Sequence, residues 1–430
     1  MLMQGTIEPT LDAWVKGMAP VGPGPSSSDV GAQGWNLLRG DLTLPCAVLK
    51  QSALAANAEA MKSFLAQTGA ELWPHGKTTM SPELMARQIE DGASGITAAN
   101  VQQMEVMLLH GHRRILIANQ VVGRAEIARL AAALARYADL ELIVLVDSVE
   151  GVALLDQRLS APPARPLDVL VEMGRVGART GVRSVQQGLE VARAVDRSVK
   201  LRLRGVETYE GIVPGKDQLS IEAGITDLFE NTVRLAEVIA TDGLFGQTQI
   251  ILSGGGSQYY DMAALALKRA TLGQETRILI RSGCYLTHDD GWLAGFYRRM
   301  RQRNPQLSVG RPAPQPAIEV WAHVQSRPEP ERAFATMGKR DVSHDIDLPA
   351  PLRWFRPGLH TVPQSLPPGH KVVGLNDQHA YIDLPPDSPL QVGDLMSFGV
   401  SHPCTTFDKW RVIPIVDDDY TVISAVSTWF

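Results

Sequence analysis

Leu142-Ile143-Val144-Leu145-Val146 is a run of consecutive apolar residues with no polar residue interleaved. A strand with one wet face alternates apolar and polar positions; a strand buried on both faces reads as a continuous apolar run. Working outward, strand-like runs recur at 45–50, 71–76, 95–100, 114–120, 141–147, 167–173, 200–206, 248–253 and 277–281. Helix-like stretches such as 81–91, 123–136, 184–195, 219–241 and 258–270 lie between them. Strand and helix alternating at this spacing predict a parallel α/β architecture, a (β/α)8 TIM-type barrel whose first strand is 71–76. The run at 45–50 is then a strand before the barrel. A doubly wound open sheet has the same local pattern and is the alternative.

Near residue 305 the pattern changes. Arg311-Pro312-Ala313-Pro314-Gln315-Pro316 is a Pro-rich junction. After it come strand-like runs without long helices between them, at 317–326, 332–337, 371–375, 379–384, 395–400, 410–416 and 421–429. Gly and Pro clusters separate them, which predicts a mostly antiparallel β domain. The expected organisation is an N-terminal extension and loop over 1–40, a barrel over 41–305 and a β domain over 306–430. Residues 19–34, rich in Pro, Gly and Ser, read as a loop or linker. The segment before the barrel is expected to pair with the β domain, because chain termini often lie close together.

Composition narrows the function classes. The chain has 430 residues, 44% hydrophobic and 20% charged, with a net charge of -5 and no basic stripe. Nucleic acid and anionic membranes are therefore poor partners. Cys46, Cys284 and Cys404 are odd in number and widely spaced, which fits a reducing compartment rather than a disulfide framework. Glu8 and Asp12 make the N-terminus unlike a signal peptide, and no long apolar run predicts a membrane span. The expected location is cytoplasmic.

Trp73-Pro74-His75-Gly76-Lys77-Thr78-Thr79 places a lysine at the C-terminal end of the first barrel strand. Barrel enzymes build their active sites at that face. A lysine desolvated there, or set beside other cations, can form a Schiff base. Ser253-Gly254-Gly255-Gly256-Ser257 and Arg281-Ser282-Gly283-Cys284-Tyr285 follow the last two barrel strands. Loops in those positions form the usual phosphate site of such barrels, although a triple glycine by itself also makes a tight turn. No Gly-Lys-Ser/Thr follows the glycines, so this is not a nucleotide loop of the P-loop kind. A phosphate held opposite a lysine suggests pyridoxal 5′-phosphate.

Arg179 ends the fifth strand region, where it holds a substrate carboxylate, tunes the cofactor, or makes a loop ion pair. Tyr209, after the sixth strand, either contacts the cofactor ring or packs, and the same two readings apply to His75. Ser401-His402-Pro403-Cys404 sets His and Cys two apart, on one side of a segment read as extended. Both are ligands for a borderline-soft divalent ion, and two protein ligands leave room for water and substrate. His-x-Cys also arises by chance. Asp377-Gln378-His379 is a second polar cluster, read as a ligand, an acid/base group or only a turn.

Together these motifs resemble the fold-type III pyridoxal phosphate enzymes, in the branch of D-serine dehydratase and D-threonine aldolase. The resemblance runs from about Leu44 to Val426. It is carried by Pro74-His75-Gly76-Lys77-Thr78, Arg179-Thr180-Gly181-Val182, Gly254-Gly255-Gly256, Ser282-Gly283-Cys284-Tyr285 and His402-Pro403-Cys404. It implies an alanine-racemase-like barrel with a C-terminal β domain, a homodimer, and sites near the subunit interface. It implies Lys77 as the Schiff-base lysine and Ser257, Gly283 and Cys284 around the phosphate. His75, Arg179, Tyr209, Gly255, Gly256 and Tyr285 complete the expected cofactor site.

The resemblance further implies that His402 and Cys404 hold a divalent metal, zinc first, with manganese or magnesium as alternatives. The dehydratase branch carries His-x-Cys and the aldolases typically His-x-Asp, so Cys404 favours dehydration. The implied reaction turns a D-3-hydroxy amino acid such as D-serine, D-threonine or D-glucosaminate into a 2-oxo acid and ammonia. Retro-aldol cleavage to glycine and an aldehyde is the alternative, and racemisation a further one. The chain departs from the family's Arg-Pro-His-x-Lys-Thr-His-Lys pattern: Trp73 stands for the arginine, and Thr79-Met80 for the His-Lys.

Overall fold

The computed structural model describes residues 11–18, 24–159, 165–246, 249–307 and 313–430. Eight parallel strands form one sheet: β2 (Glu71–Leu72), β3 (Ile96–Ala98), β4 (Arg114–Gln120), β5 (Glu141–Val146), β6 (Leu167–Met173), β7 (Leu201–Thr208), β8 (Ile250–Gly254) and β9 (Thr276–Ile280). Before them lies β1 (Cys46–Lys50). The ladder runs β2-β9-β8-β7-β6-β5-β4-β3, and a parallel bridge between His75 and Thr97 joins its two ends. The sheet is therefore a barrel, not the doubly wound alternative. Its helices start close behind the strands. Ser81, Asn100, Ser148, Ser184 and Asp217 each cap the following helix by accepting a backbone N–H in the first turn.

The inside of the barrel is a packed core. Trp73, Leu116, Ile143, Leu145, Leu170, Ile251 and Leu279 form one buried cluster there. Trp73 is fully buried, and its indole N–H donates to Ser94 Oγ at 2.9 Å. The indole plugs the inside of the barrel.

The second sheet has ten strands and is mostly antiparallel. Strand β10 (Ile318–Glu329) pairs antiparallel with β1, opposing Trp321 to Cys46. On its other side β1 runs parallel to Val412–Val416. Around this strand Leu11, Met18, Leu37 and Leu38 from the N-terminal stretch pack against Trp321 and Tyr420. Of the 19–34 stretch, residues 19–23 lie outside the described residues, and the remainder contains a short 3-10 turn, Val30–Gln33, with Val30 buried. Arg311 and Pro312 of the Pro-rich junction also lie outside them. Two strands of this sheet, Ala350–Phe355 and Gln364–Ser365, are absent from the sequence-based expectation.

Candidate active site

β2 ends at Leu72, and the chain stays extended to His75, whose N–H donates to the Arg281 carbonyl at 3.2 Å. A single 3-10 turn, Gly76–Thr78, then carries Lys77. Gly283 permits this junction: a Cβ on it would stand 2.4 Å from Thr78 Oγ1 and 2.5 Å from the His75 carbonyl oxygen. The lysine loop and the loop after β9 can meet only over a glycine. Lys77 opens into a cavity of about 280 Å³ at the C-terminal face of the barrel.

Of the residues expected from sequence, His75, Lys77, Tyr209, Gly256, Ser257, Gly283, Cys284, His402 and Cys404 all line that cavity. Three expected residues do not line it. Arg179 is exposed at the mouth, its guanidinium 5.0 Å from the Tyr209 ring centroid. Gly255 lies behind Gly256 with φ +78, a conformation that favours glycine. Tyr285 is buried beside Gln88 and faces a separate hollow with Asn57 and Met61.

One local expectation is corrected. His402 is extended, but Cys404 is not: it lies in a one-turn helix, Pro403–Phe407. Pro403 holds the first helical position, where its fixed φ suits the helix and its missing N–H costs nothing. The two side chains share the cavity by this turn rather than by strand alternation.

The Cys404 sulfur lies 3.5 Å from the Cys284 sulfur and 3.6 Å from Thr78 Oγ1. The hydrogen bond with Cys284 brings the Cys404 thiol down to about 7, and Lys77 assists; Cys284 is pushed well up by the same contact and by burial. His402 Nδ1 is 2.6 Å from Asp345 Oδ2. That contact leaves the other ring nitrogen as the ligating one, in the carboxylate–histidine arrangement common at metal sites. Burial lowers the Lys77 ammonium, and Arg179 and Arg281 add to this against the opposing pull of the two cysteines. A lysine so placed reaches its neutral, nucleophilic form more readily.

Beneath the cavity lies a charged network that sequence reading missed. Arg281 lines the cavity floor and pairs with Glu207 at 2.9 Å, with both side chains buried. Burial pushes the Glu207 carboxyl up to about 7, and Arg281 opposes this. Glu210 accepts the Gly255 N–H at 3.1 Å and the Gly256 N–H at 2.6 Å. The only signal in the sequence is a pair of carboxylates, Glu207 and Glu210, at and just past the end of the strand Leu201–Thr208. Nothing in the sequence points to Asp345 or to Asp289. Asp289 lines the cavity and caps the helix Trp292–Arg303 by accepting the Leu293 N–H.

The residues present fit a phosphorylated aldehyde cofactor. The glycine loop already binds an anion, since the Glu210 carboxylate fills its N–H pair. A phosphate would lie beside it, on Ser257 and the Gly283–Cys284 backbone; the Cys284 N–H now donates to Ser257 Oγ at 3.2 Å. His75 Nδ1 is buried without a hydrogen-bond partner. A buried polar atom so left is costly unless another group satisfies it. For a metal, His402 and Cys404 supply imidazole and thiolate, although among the described residues no three His, Cys, Asp or Glu side chains already converge on one point.

Comparison with known proteins agrees with the barrel-plus-β-sheet fold. Residues 317–416 match the family model described as "Putative serine dehydratase domain". The D-threonine aldolase of Arthrobacter sp is 25% identical over 376 residues, spanning 87% of this chain and 89% of that protein. The crystal structure of D-threonine aldolase from Filomicrobium marinum superposes with a TM-score of 0.72 at 24% identity, covering 92% of this chain and 97% of that one. D-threo-3-hydroxyaspartate dehydratase from Delftia sp. HT23 gives 0.68 at 22% identity, covering 92% and 99%.

Proposed function

We propose that this chain, a relative of the serine dehydratase and D-threonine aldolase proteins with the alanine-racemase-like fold, is a pyridoxal 5′-phosphate- and metal-dependent dehydratase of a D-3-hydroxy amino acid. The observation that carries the reading is the convergence in one cavity of Lys77, the anion-binding loops and the His402–Cys404 pair. Bound there, the cofactor would act as the electron sink for charge at Cα and the metal as a Lewis acid toward a hydroxyl leaving group.

The chain's own residues divide the remaining work. Ser257, Gly283 and Cys284 hold the phosphate by hydroxyl and backbone N–H. Lys77 Nζ would hold the cofactor aldehyde, and the same amine is placed to take the proton from the substrate Cα. Asp345 fixes the His402 ring through Nδ1. Arg179, over the Tyr209 ring at the mouth, is placed to receive the substrate carboxylate. Trp292 and Ile346 line the outer wall of the cavity. The products are a 2-oxo acid and ammonia. The protein is expected to work as a homodimer in the cytoplasm, with zinc as the metal.

Cleavage to glycine and an aldehyde is the second reading, favoured by the aldolase relative. Racemisation is the third reading, and within the single chain neither late tyrosine reaches the cavity. Tyr381 bonds Asn376, Tyr420 bonds Glu319, and neither lines the cavity. The test is to incubate the purified protein with D-serine, D-threonine, D-threo-3-hydroxyaspartate and D-glucosaminate, with and without chelator. Ammonia and glycine are assayed separately. Ammonia with a 2-oxo acid, lost on chelation, is expected; glycine with an aldehyde replaces dehydration by the aldolase reading.

A further inference from the structure

Cys284 has so far served only through its backbone N–H. Its side chain points elsewhere, toward the His402–Cys404 pair. The two sulfurs are 3.5 Å apart, and Thr78 Oγ1 lies 3.7 Å from one and 3.6 Å from the other. Two thiolates bound to one tetrahedral zinc at about 2.3 Å each stand roughly 3.8 Å apart. The observed separation is thus close to the edge of a tetrahedral site. A catalytic zinc takes three protein ligands and keeps a fourth position open for water or substrate. His402 and Cys404 supply two.

We infer that the Cys284 thiolate is the third ligand, so that the metal site is a two-sulfur, one-imidazole centre joining the barrel to the second sheet. This rests on the proposed metal-dependent reading and deepens it. The Cys284 N–H donates to Ser257 Oγ, and the Cys284 sulfur, which also contacts Ser257, lies against Cys404, so one residue borders the phosphate and the metal at once. Completing the centre requires the His402 ring, held by Asp345 through Nδ1, to bring its other nitrogen to the sulfur pair. Two soft thiolates select zinc over magnesium or manganese, which prefer oxygen donors. The remaining position would be open to the cavity that Lys77 lines, where a substrate hydroxyl could bind.

The test uses the full-length, cofactor-loaded protein in reducing buffer, stripped of metal and refilled with Co²⁺ or Zn²⁺. Thiolate-to-cobalt charge transfer in the near ultraviolet counts the sulfurs bound. Cys284→Ser should cut that band to about half while keeping the visible cofactor band. It should also weaken Zn²⁺, measured by chelator competition, by about a hundredfold or more. Cys284→Asp should retain the metal with the same halved band. Wild-type band intensity and Zn²⁺ affinity in Cys284→Ser would overturn the inference alone, provided Cys404→Ser loses the metal. A disulfide between Cys284 and Cys404 in the metal-loaded protein would also overturn it, since a bonded sulfur pair cannot supply two thiolates. If the wild-type protein binds neither ion, the metal-dependent reading fails, and this inference with it.

Discussion

Removing the Arg281 guanidinium should destabilise the protein in a way that depends on pH. Glu207 and Arg281 are both buried and lie 2.9 Å apart beneath the lysine cavity. Even with that partner, burial moves the Glu207 carboxyl from an ordinary 4.5 up to about 7. At about 1.4 kcal/mol per factor of ten, folding loses on the order of 3 kcal/mol from this group once the pH is well above 7. The sign follows from a raised acid: the native state holds a proton that the unfolded chain has released. The group's contribution is therefore fully present below about 4.5 and is lost as pH rises through 7.

In Arg281→Met the carboxyl loses its main cation and stays protonated to higher pH. At pH 6 Glu207 is mostly neutral with or without the arginine, so the charge pair contributes little. Above pH 7 each further unit should cost the variant about 1.4 kcal/mol relative to wild type, up to the roughly 3–5 kcal/mol typical of a buried charge left unpaired. Urea unfolding midpoints at pH 6, 7, 8 and 9 would measure this, with Glu207→Gln as the control that removes the dependence. A difference between Arg281→Met and wild type that stays constant from pH 6 to 9 would refute the reasoning.

Three further outcomes follow from the geometry. Lys77→Ala should purify without visible cofactor absorbance and without turnover; a variant that keeps the visible band removes Lys77 from its assigned role. Trp73→Ala should cost about 3–5 kcal/mol in urea unfolding, because a fully buried indole leaves a cavity inside a closed barrel; a loss under about 1 kcal/mol would mean the interior collapses to fill it. Asp345→Ala should weaken metal binding about 10–100-fold with the cofactor band unchanged. Unchanged affinity in a chelator titration would show that the His402 ring needs no such support.

The barrel was legible because its strands are apolar on both faces and its helices begin just behind them. Glu141–Val146 and Leu167–Met173 fall almost where the apolar runs place them. Ala350–Phe355 was not legible. Its pattern is only partly buried, Pro351 and Arg353 interrupt it, and its ladder shifts register between those two residues. The helical turn at Cys404 was hidden for another reason: five residues behind a proline carry too little periodicity to announce a helix. The positions of Lys77, His402 and Cys404 could be proposed from motif and strand order. Their supports, Glu207, Glu210 and Asp345, could not, because a carboxylate in a sequence does not reveal whether it will be buried against an arginine, a glycine loop or an imidazole.

The seam between the two sheets is where the chemistry is assembled. Lys77, Thr78 and Cys284 come from the ends of barrel strands, and His402 and Cys404 from the turn after Leu395–Gly399. Neither half alone holds more than a lysine and one thiol beside an anion loop, or an imidazole beside one thiol. The chain fastens them where the lysine loop ends: the Trp429 N–H donates to the Met80 carbonyl at 2.9 Å, and Ser427 Oγ donates to Glu83 Oε1 at 2.7 Å. Met80 is buried with φ +41, so the loop turns sharply at the point where the C-terminal strand holds it. β1 adds a second tie, since it pairs on both sides within the sheet that carries His402 and leads directly into the first helix of the barrel. The placement of Lys77 relative to His402 and Cys404 thus rests on ties at both ends of the chain, backbone pairing by β1 and the Trp429 and Ser427 bonds to the lysine loop and its following helix.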